Sequence, residues 1–259
     1  MARTADGAGS GVEAEEKEAG ELLELALRAA GGRELFHQAR EISVTLYGSG
    51  TAIRSKRFGW IPGEIEVRCS TDEQRTTIYP FPKEGQRGVF SGSEVRIESA
   101  EDGAVLSSRT NSRSKFPGGR RFLWWDDLDF LYFSGYAMWG YLIAPYSFLR
   151  KGVEAWEIEP WQQDGEIWRR LEVTYPAGSH VHCHRQIYYY DAQGRLHRND
   201  YTAEVFGSFA RSAHMCDEHK TFDGLTLPTR RRVYGRRRNN KPRPRPTLVS
   251  MDIHSASVS

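Results

Sequence analysis

The feature that most constrains this chain is a run of twenty uncharged residues at positions 130–149, "FLYFSGYAMWGYLIAPYSFL", in which eight side chains are aromatic. As a continuous helix the run would reach about 30 Å, which is enough to cross the hydrocarbon core of a bilayer. Pro145 interrupts it, however, and its tyrosines and tryptophan are spread through the middle instead of lying at the two ends. We therefore expect no transmembrane segment, but a helix capped at Asp126 or Asp127 that breaks near Pro145.

A helix that is apolar on every side must be enclosed by other elements. Two kinds of enclosure remain open for residues 130–149. The helix can be ordinary core, or it can form the wall of a pocket in which tyrosine hydroxyls and a tryptophan N–H offer directed hydrogen bonds. The candidate ligand-binding residues are the aromatic side chains Trp125, Phe133, Tyr136, Trp139 and Tyr141.

Size and composition indicate one large globular domain. The chain has 259 residues, of which 39% are hydrophobic and 27% are charged, and its net charge of +2 indicates no particular partner. Three cysteines are too few for a disulfide scaffold, and the first thirty residues show no secretory signal. We therefore expect a cytoplasmic protein.

The pattern of apolar residues changes twice along the chain. Leucines and alanines first recur at helical spacing against a glutamate-rich face, and Gly31-Gly32 provide a stop. Strand patterns then follow on both sides of the aromatic run. The predicted division is a disordered tail at 1–11 and a single domain at 12–259, made of a helix at 12–30, strands at 40–110, a helical plug at 125–150 and strands at 154–255.

The strand patterns indicate one antiparallel meander. Short segments rich in Val, Ile, Tyr and Thr, such as "REISVTLYGSG" and "RGVFSGSEVRIESA", are joined by tight turns such as Phe222-Asp223-Gly224. A last strand, "PTLVSMDIHSA", is predicted to follow an Arg- and Pro-rich loop. No helical pattern separates the strands, which argues against a parallel doubly wound sheet. We expect an α+β fold with about nine to eleven strands.

The order of these elements resembles the bacterial lipoprotein-carrier (LolA-type) superfamily. The likeness includes a leading helix that ends in Gly-Gly ("ALRAAGGRELF") and the late phrases "YYYDAQGRLHRNDY" and "FDGLTLPTRRRVY". The resemblance implies a strongly curved antiparallel sheet, an incomplete barrel, whose concave face is covered by helices and binds acyl chains. It further implies that the aromatic helical plug lies on that concave face.

Histidines form a second candidate site. "SHVHCHRQ" is predicted to be a strand that carries His180, His182 and His184 on one face. Such ligands would stand about 6.6 Å apart, so we favour surface histidines over a zinc site and expect no metal. Acid–base chemistry is the remaining alternative. The candidate catalytic residues are His184, Tyr188, Tyr201 and His214.

Charged residues near the end of the chain allow two further interpretations. Glu204 is most simply exposed, although a buried catalytic base is the alternative. Nine Arg or Lys residues lie between Arg230 and Arg245, and they indicate a solvated hairpin tip that can also meet an anionic membrane surface. No nucleic-acid-binding motif accompanies them, so we expect no nucleic acid partner.

Two functions fit these patterns. The first is binding of an apolar or amphipathic small molecule in an aromatic-lined barrel cavity. The second is a cofactor-independent cyclase, isomerase or lyase that acts on a hydrophobic substrate in the same cavity. The sequence contains no phosphate-binding loop or dinucleotide fingerprint, so neither function is expected to use a cofactor.

Overall fold

Thirteen strands form one antiparallel sheet in the computed structural model, which describes residues 20–56, 63–116, 118, 125–163 and 165–259. Apolar residues alternate along the strands; in the first strand Ile42, Val44 and Leu46 are buried and the residues before and between them are less so. The strands are β1 (Glu41–Ser49), β2 (Ile65–Ser70), β3 (Arg75–Tyr79), β4 (Gln86–Ser91), β5 (Glu94–Ser99), β6 (Val105–Arg109), β7 (Glu154–Gln163), β8 (Glu166–Thr174), β9 (Arg185–Tyr190), β10 (Leu196–Thr202), β11 (Arg211–Phe222), β12 (Leu225–Arg236) and β13 (Pro242–Val258).

The sheet consists of two meanders joined at their ends. Strands β1 to β6 form the first arm and β7 to β13 the second, and the pairing of β1 with β13 unites them. Strands β6 and β7 are the two outer edges, so the sheet does not close. This confirms the predicted α+β fold. The strand number is higher than expected, partly because "RGVFSGSEVRIESA" is two strands that turn at Gly92, whose φ of 57° suits glycine.

Four α-helices accompany the sheet in the described residues: α1 (Glu21–Ala30), α2 (Arg33–Gln38), α3 (Thr51–Ser55) and α4 (Asp127–Ile143). Helix α1 buries Leu22, Leu23 and Leu27 toward the second arm, and Gly31, whose φ is 132°, is its C-cap. A Cβ at Gly31 would lie 2.7 Å from the carbonyl oxygen of Gly224. The predicted tail at 1–11 and the first part of the predicted helix, 12–19, lie outside the described residues.

Helix α4 is the predicted aromatic plug. Asp126 caps its first turn by accepting a hydrogen bond from the backbone N–H of Asp129 at 2.8 Å, and the Asp129 side chain completes a capping box. The helix ends at Ile143, and a 3-10 turn at Tyr146–Leu149 follows Pro145. Within the described part of the chain, no helix combines the length and the apolar character needed to cross a membrane.

Contacts of α4 with both arms show how the sheet curves. On the first arm, Thr76 of β3 donates a hydrogen bond of 2.9 Å to the carbonyl of Gly135. On the second arm, the hydroxyl of Tyr201 in β10 lies 2.8 Å from that of Tyr141, and Arg231 of β12 donates to the Tyr141 carbonyl at 3.0 Å. Five strands separate β3 from β10. The sheet therefore bends around α4, which lies on its concave face as expected.

Two local predictions are wrong. The segment "SHVHCH" is a loop rather than a strand, because β9 begins only at Arg185. The Arg- and Pro-rich stretch is not a loop but the start of β13, which begins at Pro242. Pairing of β13 with β1 ends at Ser250, so residues 242–249 pair only with β12 and their prolines are tolerated on the unpaired side.

Candidate ligand-binding site

A wide pocket, the main pocket, opens between α4 and the second arm. It has a volume of about 550 Å³, within the range of small-molecule sites. Its inner wall includes Phe133 of α4, the stacked rings of His182 and Tyr201, and Phe206. Helix α3 and the start of β13 complete its sides.

A narrower hollow, the apolar cleft, continues along α4 toward the first arm. It has a volume of only about 80 Å³ and is lined by Phe130, Phe133, Met138 and residues of β1, β3 and β13. Phe133 and Val249 line both hollows. The plug therefore fills most of this side of the barrel and leaves the larger space beside the second arm.

The predicted ligand-binding aromatics divide into three groups. Phe133 lines both hollows, and Tyr141 lines the apolar cleft. Trp125 and Tyr136 are buried behind this surface; the Trp125 ring lies 4.6 Å from that of Phe206. Trp139 faces the first arm, where its N–H donates to the carbonyls of Ser70 and Glu73. Trp139 therefore belongs to the packed side of α4 and does not line the main pocket.

Hydrogen bonds connect the inner wall of the pocket to the helix. The imidazole of His182 lies 2.7 Å from the Tyr141 hydroxyl through Nε2 and 3.3 Å from the Tyr136 hydroxyl through Nδ1. The Tyr141 hydroxyl also contacts that of Tyr201 at 2.8 Å. These four side chains, Tyr136, His182, Tyr141 and Tyr201, form the tyrosine–histidine network.

Burial keeps this network uncharged at neutral pH. Desolvation, with a smaller contribution from the Arg113 charge, lowers the pKa of His182 to about 3. Burial also raises the pKa of each of the three tyrosine hydroxyls above its ordinary value. The network therefore offers neutral hydrogen-bonding groups that hold the helix to the sheet.

The loop that carries His182 is held by side chains from distant elements. Gln74 donates to the carbonyl of His180 at 2.7 Å, and Arg113 donates to that of Val181 at 2.7 Å. These bonds replace strand pairing, which is why alternation failed to predict the orientation of the histidines. Arg113 also forms an ion pair with the exposed Glu204 at 2.7 Å, so the alternative of a buried catalytic Glu204 is wrong.

The candidate catalytic residues do not form one site. His184 is exposed, and Tyr188 bonds the hydroxyl of Tyr175 at 3.0 Å but forms no hydrogen bond with the network in the described residues. Tyr201 belongs to the network, and His214 lies near it, with its ring 4.4 Å from that of Tyr141. Neither ring nitrogen of His214 has a hydrogen-bond partner among the described residues. Burial lowers the pKa of His214 well below its ordinary value, so its imidazole is neutral.

The basic segment from Arg230 to Arg245 has several environments rather than one solvated tip. Arg231 is buried, with 2% of its surface exposed, and bonds the Tyr141 carbonyl. Arg236 donates to Asp200 at 3.1 Å. Arg243 and Arg245 are exposed at the mouth of the main pocket. The spacing of the arginines along the sequence does not indicate which of them are buried, which are paired and which are exposed.

Groups of three or more His, Cys, Asp or Glu side chains suited to a metal ion do not occur in the described ranges. His180 instead bonds the Tyr132 hydroxyl at 2.8 Å, while His184 is exposed. The three histidines of "SHVHCH" thus have separate environments.

Comparison with known proteins identifies the fold. The chain is similar to a LolA superfamily protein from Nitrosomonas europaea, with 13% identity and a TM-score of 0.51 over 89% of this chain and 90% of that one. It is also similar to a DUF1329 family protein from Desulfovibrio piger, with 14% identity and a TM-score of 0.50 over 92% and 91% of the two chains. No protein-family model and no curated protein matches the sequence. The chain therefore has a LolA-like fold, as the sequence resemblance predicted.

Proposed function

From this LolA-like fold, we propose that the protein binds an apolar or amphipathic small molecule in the main pocket. The observation that carries the proposal is a pocket of about 550 Å³ whose inner wall is built from aromatic rings on both α4 and the second arm. Phe133, His182, Tyr201 and Phe206 present ring faces or edges, which suit an apolar ligand. The resemblance to lipoprotein carriers leads to the same expectation.

The histidines favour binding over the alternative of a cofactor-independent enzyme. A general acid or base works best when its pKa lies near the operating pH. Burial instead lowers the pKa of His182 to about 3 and that of His214 well below its ordinary value. His184 is exposed, whereas His182 and His214 are both buried. Cyclase, isomerase or lyase activity therefore has no specific support from these side chains.

Binding can be tested without knowing the natural ligand. We expect organic extraction of the purified protein to release a co-purifying amphiphile that mass spectrometry detects. In the delipidated protein, fatty acids or polycyclic aromatics should quench tryptophan fluorescence saturably at one site, because Trp125 packs directly behind Phe133 and Phe206. Absence of both a co-purifying molecule and saturable quenching would refute the proposal.

A pair of variants on α3 locates the binding site. Ala52 lines the main pocket, whereas Arg54 on the same short helix is exposed and lies outside the lining. Ala52→Trp should fill the pocket and weaken binding at least about tenfold, since a displaced ring contact is worth roughly 1.4 kcal/mol or more. Arg54→Trp adds the same ring elsewhere and should leave the affinity unchanged. Equal affinities in both variants would place the ligand outside the main pocket.

The same proposal includes a cytoplasmic location for the protein and contact with an anionic membrane surface. Cys69, Cys183 and Cys216 are buried and unpaired, which supports a reducing, cytoplasmic environment. Exposed arginines near the tip of the β12–β13 hairpin support contact with an anionic membrane surface during ligand exchange. Subcellular fractionation and flotation with anionic vesicles test these two points; recovery in an exported fraction would contradict the first, and no flotation the second.

A further inference from the structure

The mouth of the main pocket carries uncompensated positive charge. Its described lining includes the four arginines Arg211, Arg236, Arg243 and Arg245, but no Asp or Glu. Arg236 bonds Asp200, yet Asp200 is already paired with the fully buried Arg198 at 2.7 Å. One carboxylate thus faces two guanidinium groups behind the pocket wall, and the described lining offers no carboxylate to the arginines of the mouth.

Two of these arginines lack a side-chain partner among the residues that the structure describes. Arg243 and Arg245 form no side-chain hydrogen bond or ion pair with any residue of the described part. The aliphatic part of the Arg243 side chain packs over Gly235, which also lines the pocket. A Cβ added to Gly235 would lie 3.3 Å from the Cδ of Arg243, so this side chain runs along the pocket wall. Guanidinium groups arranged in this way match carboxylate and phosphate oxygens.

The opposite part of the pocket is apolar. Phe133 and Phe206 form its inner wall, and Val249 leads into the apolar cleft. Strand β13 lines both ends, with Arg245 at the mouth and Met251 in the cleft. Six residues of strand span roughly 20 Å, so charge and apolar surface are separated by the length of an extended chain.

We propose that the main pocket takes an amphiphile with an anionic carboxylate or phosphate head, which Arg243 and Arg245 hold at the mouth while the apolar chain lies against Phe133 and Phe206. This inference rests on the proposed binding function and narrows the class of ligand. Arg236 also lines the pocket, but its guanidinium bonds Asp200, so we assign the head group to Arg243 and Arg245.

Chain-matched probes test the head group. Binding of dodecanoate, dodecyl phosphate, dodecanol and dodecyltrimethylammonium is measured by calorimetry below their micelle concentrations, with inorganic phosphate as a chain-free probe. We expect both anions to bind about tenfold or more tightly than the alcohol, because charge-assisted hydrogen bonds form at the mouth. The cation should bind more weakly than the alcohol.

Paired charge variants test the residues. Arg243→Gln with Arg245→Gln should reduce affinity for the two anions about tenfold and leave dodecanol unchanged. Arg238→Gln with Lys241→Gln removes the same charge from the tip of the hairpin, where both side chains are exposed and outside the pocket lining. This control should change anion affinity by less than about threefold, as expected for screened charges at a distance.

The outcomes separate the two proposals. If no dodecyl compound binds, the proposed binding function fails. If dodecanol binds as tightly as the anions, or if the arginine variant weakens all ligands equally, the pocket binds amphiphiles but the head-group inference is wrong. If inorganic phosphate binds as tightly as dodecyl phosphate, the arginines form a free-anion site, and the amphiphile inference is likewise overturned.

Discussion

The two sides of α4 differ in how closely they pack. Toward the first arm, Gly135 approaches β4 so closely that a Cβ would lie 2.3 Å from the Cβ of Phe90. Trp139 is buried on this side, with its N–H bonded to two carbonyls. Toward the second arm, Phe133 borders a pocket of about 550 Å³, and Tyr141 contacts the sheet through a hydrogen bond between its hydroxyl and that of Tyr201.

The difference teaches that core and pocket wall are properties of helix faces rather than of whole helices. An apolar, aromatic helix can pack directly against one arm of a curved sheet and leave a pocket between itself and the other arm. The glycine on the packed side allows this offset, because it lets the helix axis lie close to β4. The polar network then holds the helix at a distance on the pocket side.

Removal of a ring should be far more costly on the packed side. Trp139→Ala deletes a buried indole and two hydrogen bonds, so we expect it to lower the free energy of unfolding by about 3–5 kcal/mol. Phe206→Ala, at the pocket wall, should cost about 1–2 kcal/mol, since its ring already borders open space. Urea unfolding followed by circular dichroism measures both. Equal losses would show that the two sides are packed alike.

Substitution by alanine should have opposite effects on stability at two glycines of α4. Gly135→Ala forces α4 away from β4 and should destabilise the protein by about 2–3 kcal/mol, as overpacking does. Gly140 has no heavy atom within 4 Å of a built Cβ, so Gly140→Ala should stabilise by about 0.5–1 kcal/mol through helix propensity. Thermal unfolding of the two variants compares them directly. A neutral Gly135→Ala would contradict close packing against Phe90.

The buried histidine beside Tyr141 should make the pocket side sensitive to acid. His214 has a lowered pKa when folded and an ordinary value of 6.5 when unfolded. Its contribution to stability is therefore fully present above about pH 6.5 and is lost as the pH falls toward the folded pKa, because the unfolded chain binds the proton more readily. At pH 5 this loss can amount to at most about 2 kcal/mol, because the unfolded imidazole titrates about 1.5 pH units above that pH.

Replacement of that histidine isolates the effect. His214→Phe should leave the free energy of unfolding nearly unchanged at pH 7.5, since neither ring nitrogen has a partner in the described residues. At pH 5 the variant should be more stable than the parent, by at most about 2 kcal/mol. His184→Phe, at an exposed position, serves as the control for replacing an imidazole that is not buried. An unchanged slope in His214→Phe would show that the imidazole is protonated or solvated in the fold.

Local patterns were sufficient for most of the architecture. Alternation in segments such as Ile42–Val44–Leu46 predicts half-buried strands, and tight turns predict antiparallel neighbours. Pro145 and the acidic cap before α4 predict where the plug begins and ends. These features act over a few residues, so one sequence contains them.

The site was only partly predictable. Phe133, Tyr141 and Tyr201 were among the candidates. The hydrogen bonds of His182 and the position of Arg243 and Arg245 at the pocket mouth were not predicted. Periodicity placed His182 on a strand beside His184, but side chains from the turn before β3 and the segment after β6 hold the loop instead. The proline-rich stretch likewise suggested a loop, although an unpaired sheet edge accepts proline.

By itself, then, the sequence determined most of the strands, where the aromatic helix starts and stops, and that the helix must be enclosed. Only the tertiary structure decided which side of that helix is packed and which borders a pocket. The contacts responsible join residues far apart in the chain: Thr76 with Gly135 on one side, and Tyr141 with Tyr201 and Arg231 on the other. Such contacts depend on how far a thirteen-stranded sheet curves, which is the sum of the twist of all its strands and is encoded at no single position.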